Sequence, residues 1–178
     1  EDLRVLIGPP LSESFVKYYQ LSDSDGDKAV DTYREYFSEI GLFENDPYPN
    51  IHQSLDALKK HGYKLAVATS KPEVYAKRII EKFEMDSYFD IVCGSELGGR
   101  SEDKADVIKK VITYFKDDNM SHYIMVGDRE HDVIGARKNN MNCIGVTYGY
   151  GSKEELENAK AAIILDGHEA ILDYLNNK

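Results

Sequence analysis

The spacing of apolar positions changes character near residue 50. Before it, the pattern is helical only. Residues 12–20 predict one helix. Residues 27–40 predict a second, with Val30, Tyr33, Phe37 and Ile40 on one face and Gly41 where a helix stop is expected. The charged opening stretch EDLRVLIGPPL is expected to be helical too. LFENDPYPN then interrupts the pattern with two prolines and few apolar residues, which sets a boundary near residues 44–50.

Beyond that boundary, strand-like runs alternate with helical ones. Asn50 is predicted to cap a helix carrying Ile51, Leu55 and Leu58, which Gly62 ends. KLAVAT (64–69) is a short, almost wholly apolar strand of the kind buried on both faces, and Pro72 suits the first turn of a helix over 72–83. FDIVCG (89–94), YIMVG (123–127), NCIGV (142–146) and AIIL (162–165) predict four further strands. The helix after the second strand shows Ile108, Val111, Ile112 and Phe115 on one face. The helix before the last strand opens on a capping box, Ser152 to Glu155. Five strands alternating with helices predict the α/β class, a doubly wound parallel sheet. The predicted organisation is a small helical unit over 1–48 and an α/β core over 49–178.

Composition narrows the function classes. A chain of 178 residues is enough for one substantial core with a small appendage. Its net charge of −10 repels phosphate backbones, and no basic stripe offsets it, so nucleic acid is not an expected partner. Runs such as LAVAT and AAIIL are far too short to cross a bilayer, so no membrane partner is expected and a soluble, cytoplasmic protein is. Cys93 and Cys143 lie in strand-like runs and are expected to be reduced core residues, with neither a disulfide nor a zinc site. His52, His61, His122, His131 and His168 show no zinc spacing, and His131 is expected on a loop or helix surface. The tyrosines between residues 18 and 48 are expected to form the interior of the helical unit. The glycines around Tyr148 and Tyr150 lack the lysine and Ser/Thr of a P-loop and suggest a mobile loop. SDSDGDK (22–28) has no strand before it and no closing glutamate for a calcium loop, so it is expected to be a solvated loop capping the second helix.

Ligands of open α/β sheets bind beyond the carboxyl ends of the strands. Thr69 and Ser70 end the first predicted strand, where a hydroxyl and free N–H groups can hold a phosphate oxygen; taken alone, an ordinary helix N-cap is the better reading of them. Lys104 opens a helix after the flexible loop GSELGGRSED and could neutralise a dianion, although taken alone an ordinary solvated lysine is by far the better reading. Asp128 and Asp132, in GDREHD, end the third strand and can take oxygen-ligand positions around magnesium. One cap does not require two acids, and Arg129 and Lys138 are the candidates to pair with one of them.

This constellation resembles the haloacid dehalogenase-like phosphohydrolases over essentially the whole chain. Thr69 in LAVATS matches their second motif, Lys104 in KADVI their third, and Asp128 and Asp132 their GDxxxD. LIGPPLSESF is similar to the small helical cap of the phosphoglycolate phosphatase-like branch, and GVTYGYGSKEEL to its tail. The resemblance implies magnesium-dependent hydrolysis of a small phosphorylated metabolite through an aspartyl-phosphate. Thr69 and Ser70 would hold phosphoryl oxygens, Lys104 would offset charge, Asp128 would bind Mg2+, and Asp132 would complete or orient the metal shell. The family's first motif, DxDGT at the end of a central strand, is absent from the sequence. The expectation is therefore an N-terminally incomplete chain, inactive as it stands, with an unpaired slot in the sheet. Alternatives are a 5'-nucleotidase-type phosphatase and a non-catalytic fragment or binding module. A monomer or homodimer is expected.

Overall fold

The strand with the most continuous burial lies at the centre of its ladder. β4 (Asn142–Val146) is buried at every position after Asn142 and pairs in parallel with β3 (Ile124–Gly127) on one side and β5 (Ile163–Leu165) on the other. A second parallel ladder joins β1 (Ala66–Pro72) to β2 (Ile91–Ser95). This computed structural model describes residues 11–97 and 103–177. The opening stretch 1–10 and the part of the predicted flexible loop over 98–102 lie outside the described residues.

Helices cover both faces of β4. Cys143 packs with Ile108 of α5 (Lys104–Phe115), Val133 and Ala136 of α6 (Glu130–Lys138), and Leu156 of α7 (Lys153–Asn158). Its neighbour Ile144 points the other way, to Leu58 of α3 (Ile51–Lys60) and Ile171 of α8 (Ala170–Asn176), as successive strand residues must. Val107 and Val111 of α5 close over Cys93 of β2. Both cysteines are buried and free. The predicted α/β class and its parallel pairing are therefore observed. No helix among the described residues is long and apolar enough to cross a membrane.

The five strands do not form one continuous sheet. Among the described residues no ladder joins β1 to β3. A side chain spans the gap instead: Lys104 Nζ donates to Ala68 O of β1 at 3.1 Å and pairs with Asp132, just beyond β3, at 2.9 Å.

Several local expectations are corrected. β1 runs on through Lys71 to Pro72, so Pro72 ends the strand, and α4 (Glu73–Lys82) starts one residue later. The cause is a bulge: Ala68 pairs with Cys93 but Pro72 with Ser95, leaving Thr69, Ser70 and Lys71 opposite a single residue, Gly94. Asn50 precedes α3 in the left-handed conformation (φ 62°), and its side chain makes no cap bond. SDSDGDK caps the second helix as expected, through Ser22, but the rest of it is helix and not loop. Ser22 Oγ accepts the Asp25 N–H at 3.2 Å, and the following acids favour a helix start, so α2 spans Asp23–Glu39. Gly26 is buried within it because a Cβ there would stand 3.0 Å from Val16 of α1 (Leu11–Tyr19).

The tyrosines of residues 18–48 do not form the interior of the helical unit. Tyr18, Tyr19, Tyr33, Tyr36 and Tyr48 are between 40% and 51% exposed. Two helices enclose too little volume for them, and the buried apolar positions are Val30 and Leu42. The unit rests on α4, where Phe37 meets Tyr75 edge-on at 5.5 Å and Arg78 donates to Ser38 O at 2.7 Å.

Candidate active site

β1 and β3 end at the same cavity, of about 650 Å³, between the sheet and the helical unit. Thr69, Ser70, Lys104, Asp128 and Asp132 all line it. The five residues singled out from sequence thus converge, although they come from three separate strand-to-helix junctions.

The β1 side is set by the bulge. Thr69 Oγ1 accepts the Lys71 N–H at 3.2 Å, and Ser95 Oγ donates to Ser70 O at 3.0 Å. Gly94 lets β2 approach this irregular backbone, since a Cβ there would lie 2.5 Å from Lys71 O and 2.6 Å from Glu73 N.

The β3 side is closed around its acids. Asp132 is 6% exposed, and both of its oxygens are engaged: Oδ1 by Lys104 Nζ at 2.9 Å, Oδ2 by the Arg129 N–H at 3.2 Å. That second bond caps α6 from its third residue, so Asp128 is not the N-cap; Arg129 occupies that position. The cations expected to pair with the acids pair elsewhere. Arg129 Nε binds Glu155 at 2.8 Å, and Lys138 binds Asp103, the N-cap of α5. Gly135 leaves room for Lys104, whose Cγ would be 2.8 Å from a Cβ at that position.

Asp128 is held by the loop after β4. Its Oδ2 accepts the Tyr150 N–H at 2.7 Å. A Cβ at Gly149 would fall 2.3 Å from the Asp128 side chain, and one at Gly151 would fall 1.9 Å from its carbonyl oxygen. The loop expected to be mobile is thus tied to the carboxylate. Two glycines flanking Tyr150 soon after a buried strand are the signal of such close backbone approach, which the expectation of mobility missed. Tyr48 and Tyr148 also line the cavity and stack edge-on at 4.8 Å. Burial, with Tyr48 and Asp128 nearby, pushes the Tyr148 hydroxyl up to about 12. His131, expected at a loop or helix surface, is on α6 and lines the cavity as well.

The donors are hard oxygens suited to magnesium, which binds one or two carboxylates and otherwise keeps water or substrate oxygens. Among the described residues no group of three His, Cys, Asp or Glu side chains forms a closed metal cage. The chemistry of this donor set would suit magnesium at an open half-site that Asp128 would ligate, while Lys104 fixes Asp132 at 2.9 Å.

The parallel core, the acidic turn after β3 and the lysine opening α5 define a class: the chain belongs to the haloacid dehalogenase-like hydrolases, whose family model matches residues 1–146. It is 41% identical over 154 residues to a 5'-nucleotidase of Pseudomonas aeruginosa, covering 86% of this chain and 69% of that protein. A phosphoglycolate phosphatase of Agrobacterium fabrum is 31% identical, with 89% of this chain and 67% of that protein covered. A tyrosine-protein kinase, PtkA, of Mycobacterium tuberculosis is also 31% identical, and the chain spans 57% of its length, covering 96% of this chain. The crystal structure of a predicted phosphatase from Clostridium acetobutylicum superposes with a TM-score of 0.93 at 44% identity, covering 99% of this chain and 81% of that one.

Proposed function

We propose that the chain carries the phosphate- and metal-binding side of a magnesium-dependent phosphate monoester hydrolase acting on a small phosphorylated metabolite. The observation that supports this best is the convergence of Thr69, Ser70, Lys104, Asp128 and Asp132 on one cavity. Relatives act on different phosphorylated compounds by their names, so family membership alone does not choose the substrate. Phosphoglycolate and a nucleoside monophosphate are the two leading substrates.

In this reading the Thr69 hydroxyl and the Ser70 N–H donate to phosphoryl oxygens. Lys104 faces the phosphate while its bond to Asp132 holds the ammonium in place. Asp128 would hold Mg2+, which when bound would supply positive charge to offset that on the phosphoryl oxygens. The nucleophile is a carboxylate on a further strand lying in the slot between β1 and β3. It attacks phosphorus, the ester P–O bond breaks to the alcohol, and water then cleaves the aspartyl-phosphate to inorganic phosphate. The motif DxDGT, which would supply that carboxylate, does not occur in the sequence.

The test compares two proteins. The 178-residue chain alone should release no phosphate from a panel of monoesters, with or without magnesium. The chain with an N-terminal strand ending in DxDGT appended should release it with magnesium, and Asp128→Asn in that protein should lower kcat/KM by about 10²-fold or more. Turnover by the chain alone, or an inert extended protein whose melting temperature has risen, would refute the reading.

A further inference from the structure

Lys71 is a cation of the cavity to which the hydrolytic reading gives no role. It lines the cavity from the bulge of β1, with Nζ 4.6 Å from the centre of the Phe37 ring of α2. The other cations there have acid partners: Lys104 binds Asp132, Arg129 binds Glu155, and Arg34 lies 3.6 Å from the exposed Asp31. Among the described residues Lys71 Nζ has no carboxylate and no carbonyl partner. Burial lowers its proton affinity, as expected for an ammonium drawn out of water without a counter-charge. An aromatic face offsets only part of that cost.

The mount is rigid. Lys71 shares its turn with Thr69, whose Oγ1 accepts its N–H, and Gly94 and Ser95 brace the same three residues from β2. The bulge therefore presents a hydroxyl and an ammonium to one cavity in fixed relation, the ammonium on the side of the helical unit. Arg34 reaches the cavity from that unit. In a chain of net charge −10, two cations from different elements, Lys71 of β1 and Arg34 of α2, line the same cavity. Thr69 and Ser70, the residues proposed to hold the phosphate, adjoin Lys71 in the same bulge.

We propose that Lys71, supported by Arg34, is a specificity-determining residue that binds a second anionic group on the alcohol part of the phosphate ester. The assignment rests on the phosphate site proposed above. It favours a phosphorylated acid or a bisphosphate over a nucleoside monophosphate, whose alcohol part is uncharged.

Calorimetric binding to the 178-residue chain tests it without turnover. Five ligands are compared: inorganic phosphate; 2-hydroxyethyl phosphate; phosphoglycolate, with a carboxylate; ethane-1,2-diol bisphosphate, with a second phosphate; and adenosine 5'-monophosphate. At least one of the two esters with a second anion should bind about tenfold or more tighter than 2-hydroxyethyl phosphate and the nucleotide, and the tighter of the two identifies the anion. Lys71→Met, which keeps the stem against Phe37, should remove that advantage and leave inorganic phosphate unchanged. Lys71→Arg should keep most of the advantage, and unchanged near-UV dichroism would establish that both variants are folded. The proposal is overturned if the advantage is missing, if it survives in Lys71→Met, if that variant weakens inorganic phosphate equally, or if no ester binds. The underlying reading fails separately: then inorganic phosphate is not bound, or its binding is indifferent to Thr69→Val.

Discussion

The two strand ends that meet at the cavity are built on opposite plans. Beyond β3, Asp132 has both oxygens engaged, Asp128 accepts a backbone N–H, and glycines fit against each side chain. In the last residues of β1, a bulge leaves the Thr69 hydroxyl and the Lys71 ammonium lining the cavity with few obligations to the protein. The carboxylate end is organised in advance, at a cost in freedom, while the hydroxyl and ammonium end keeps bonding capacity for a ligand. Such a division suits a site where fixed charges must not reorganise during reaction. Breaking the closed end should therefore cost the most stability. Lys104→Met leaves the Asp132 carboxylate buried without its cation and should destabilise the fold by about 3–5 kcal/mol in chemical denaturation. Lys104→Met combined with Asp132→Leu should recover most of that loss. A cost below about 1 kcal/mol for the single change would mean that this end is not closed by the ion pair.

The glycines sharpen the contrast next. Gly149→Ala places a methyl group 2.3 Å from the Asp128 carboxylate and must displace it or the loop. A loss of about 1–3 kcal/mol is expected, together with weaker magnesium binding measured by calorimetry. Gly62→Ala is the control. Its Cβ would meet nothing within 4 Å, although its φ of +85° disfavours a side chain. It should cost about 1–2 kcal/mol of stability and leave the metal affinity unchanged. Equal effects on metal binding would remove the special role of the loop after β4.

How much of this was legible in the sequence depends on range. The strands of residues 123–127, 142–146 and 162–165 were readable because apolar runs bounded by polar turns encode them locally, and the observed bounds differ by at most one residue. GDREHD and the lysine of KADVI were readable as chemistry because residue type and position suffice. The bulge was not. It depends on Gly94 of a strand more than twenty residues away, and Pro72 locally favours a helix start over a strand end. The partner of Asp132 was misjudged for a similar reason: Arg129 and Lys138 are near in sequence, whereas Lys104 reaches it only because Gly135 lets α5 and α6 approach. The tyrosines misled because size and hydropathy suggest burial, while a two-helix unit offers no interior to receive them.

Glu155 provides a pH test of the closed end. Burial pushes its carboxyl up, but the Glu130 N–H and the Arg129 guanidinium outweigh that and hold it below its ordinary value of 4.5. A carboxyl with a lowered folded value contributes stability that is fully present above its ordinary value and is lost as pH falls through the folded value. Stability should therefore decline below pH 4.5 more steeply in the wild type than in Glu155→Gln. At pH 7 that variant should be about 1–2 kcal/mol less stable, because it loses charge on two hydrogen bonds. Parallel stability profiles for the two proteins below pH 4.5 would show that this contact between α6 and α7 carries no pH-dependent stability.

The smallest effect is expected at the open end, in Ser95→Ala. The Ser95 hydroxyl donates to Ser70 O at 3.0 Å and is the side-chain brace across the bulge. Ser95 is only 9% exposed, so its loss leaves a carbonyl short of one partner and should cost about 1 kcal/mol. The informative readout is inorganic phosphate affinity. If the bulge holds its shape mainly because Gly94 admits the backbone, the affinity should fall by less than about threefold while stability drops. If it falls as far as in Thr69→Val, the hydroxyl of Ser95 sets the position of Ser70. The open end would then be held as tightly as the closed one, and the contrast between the two strand ends would reduce to which of them carries the charge.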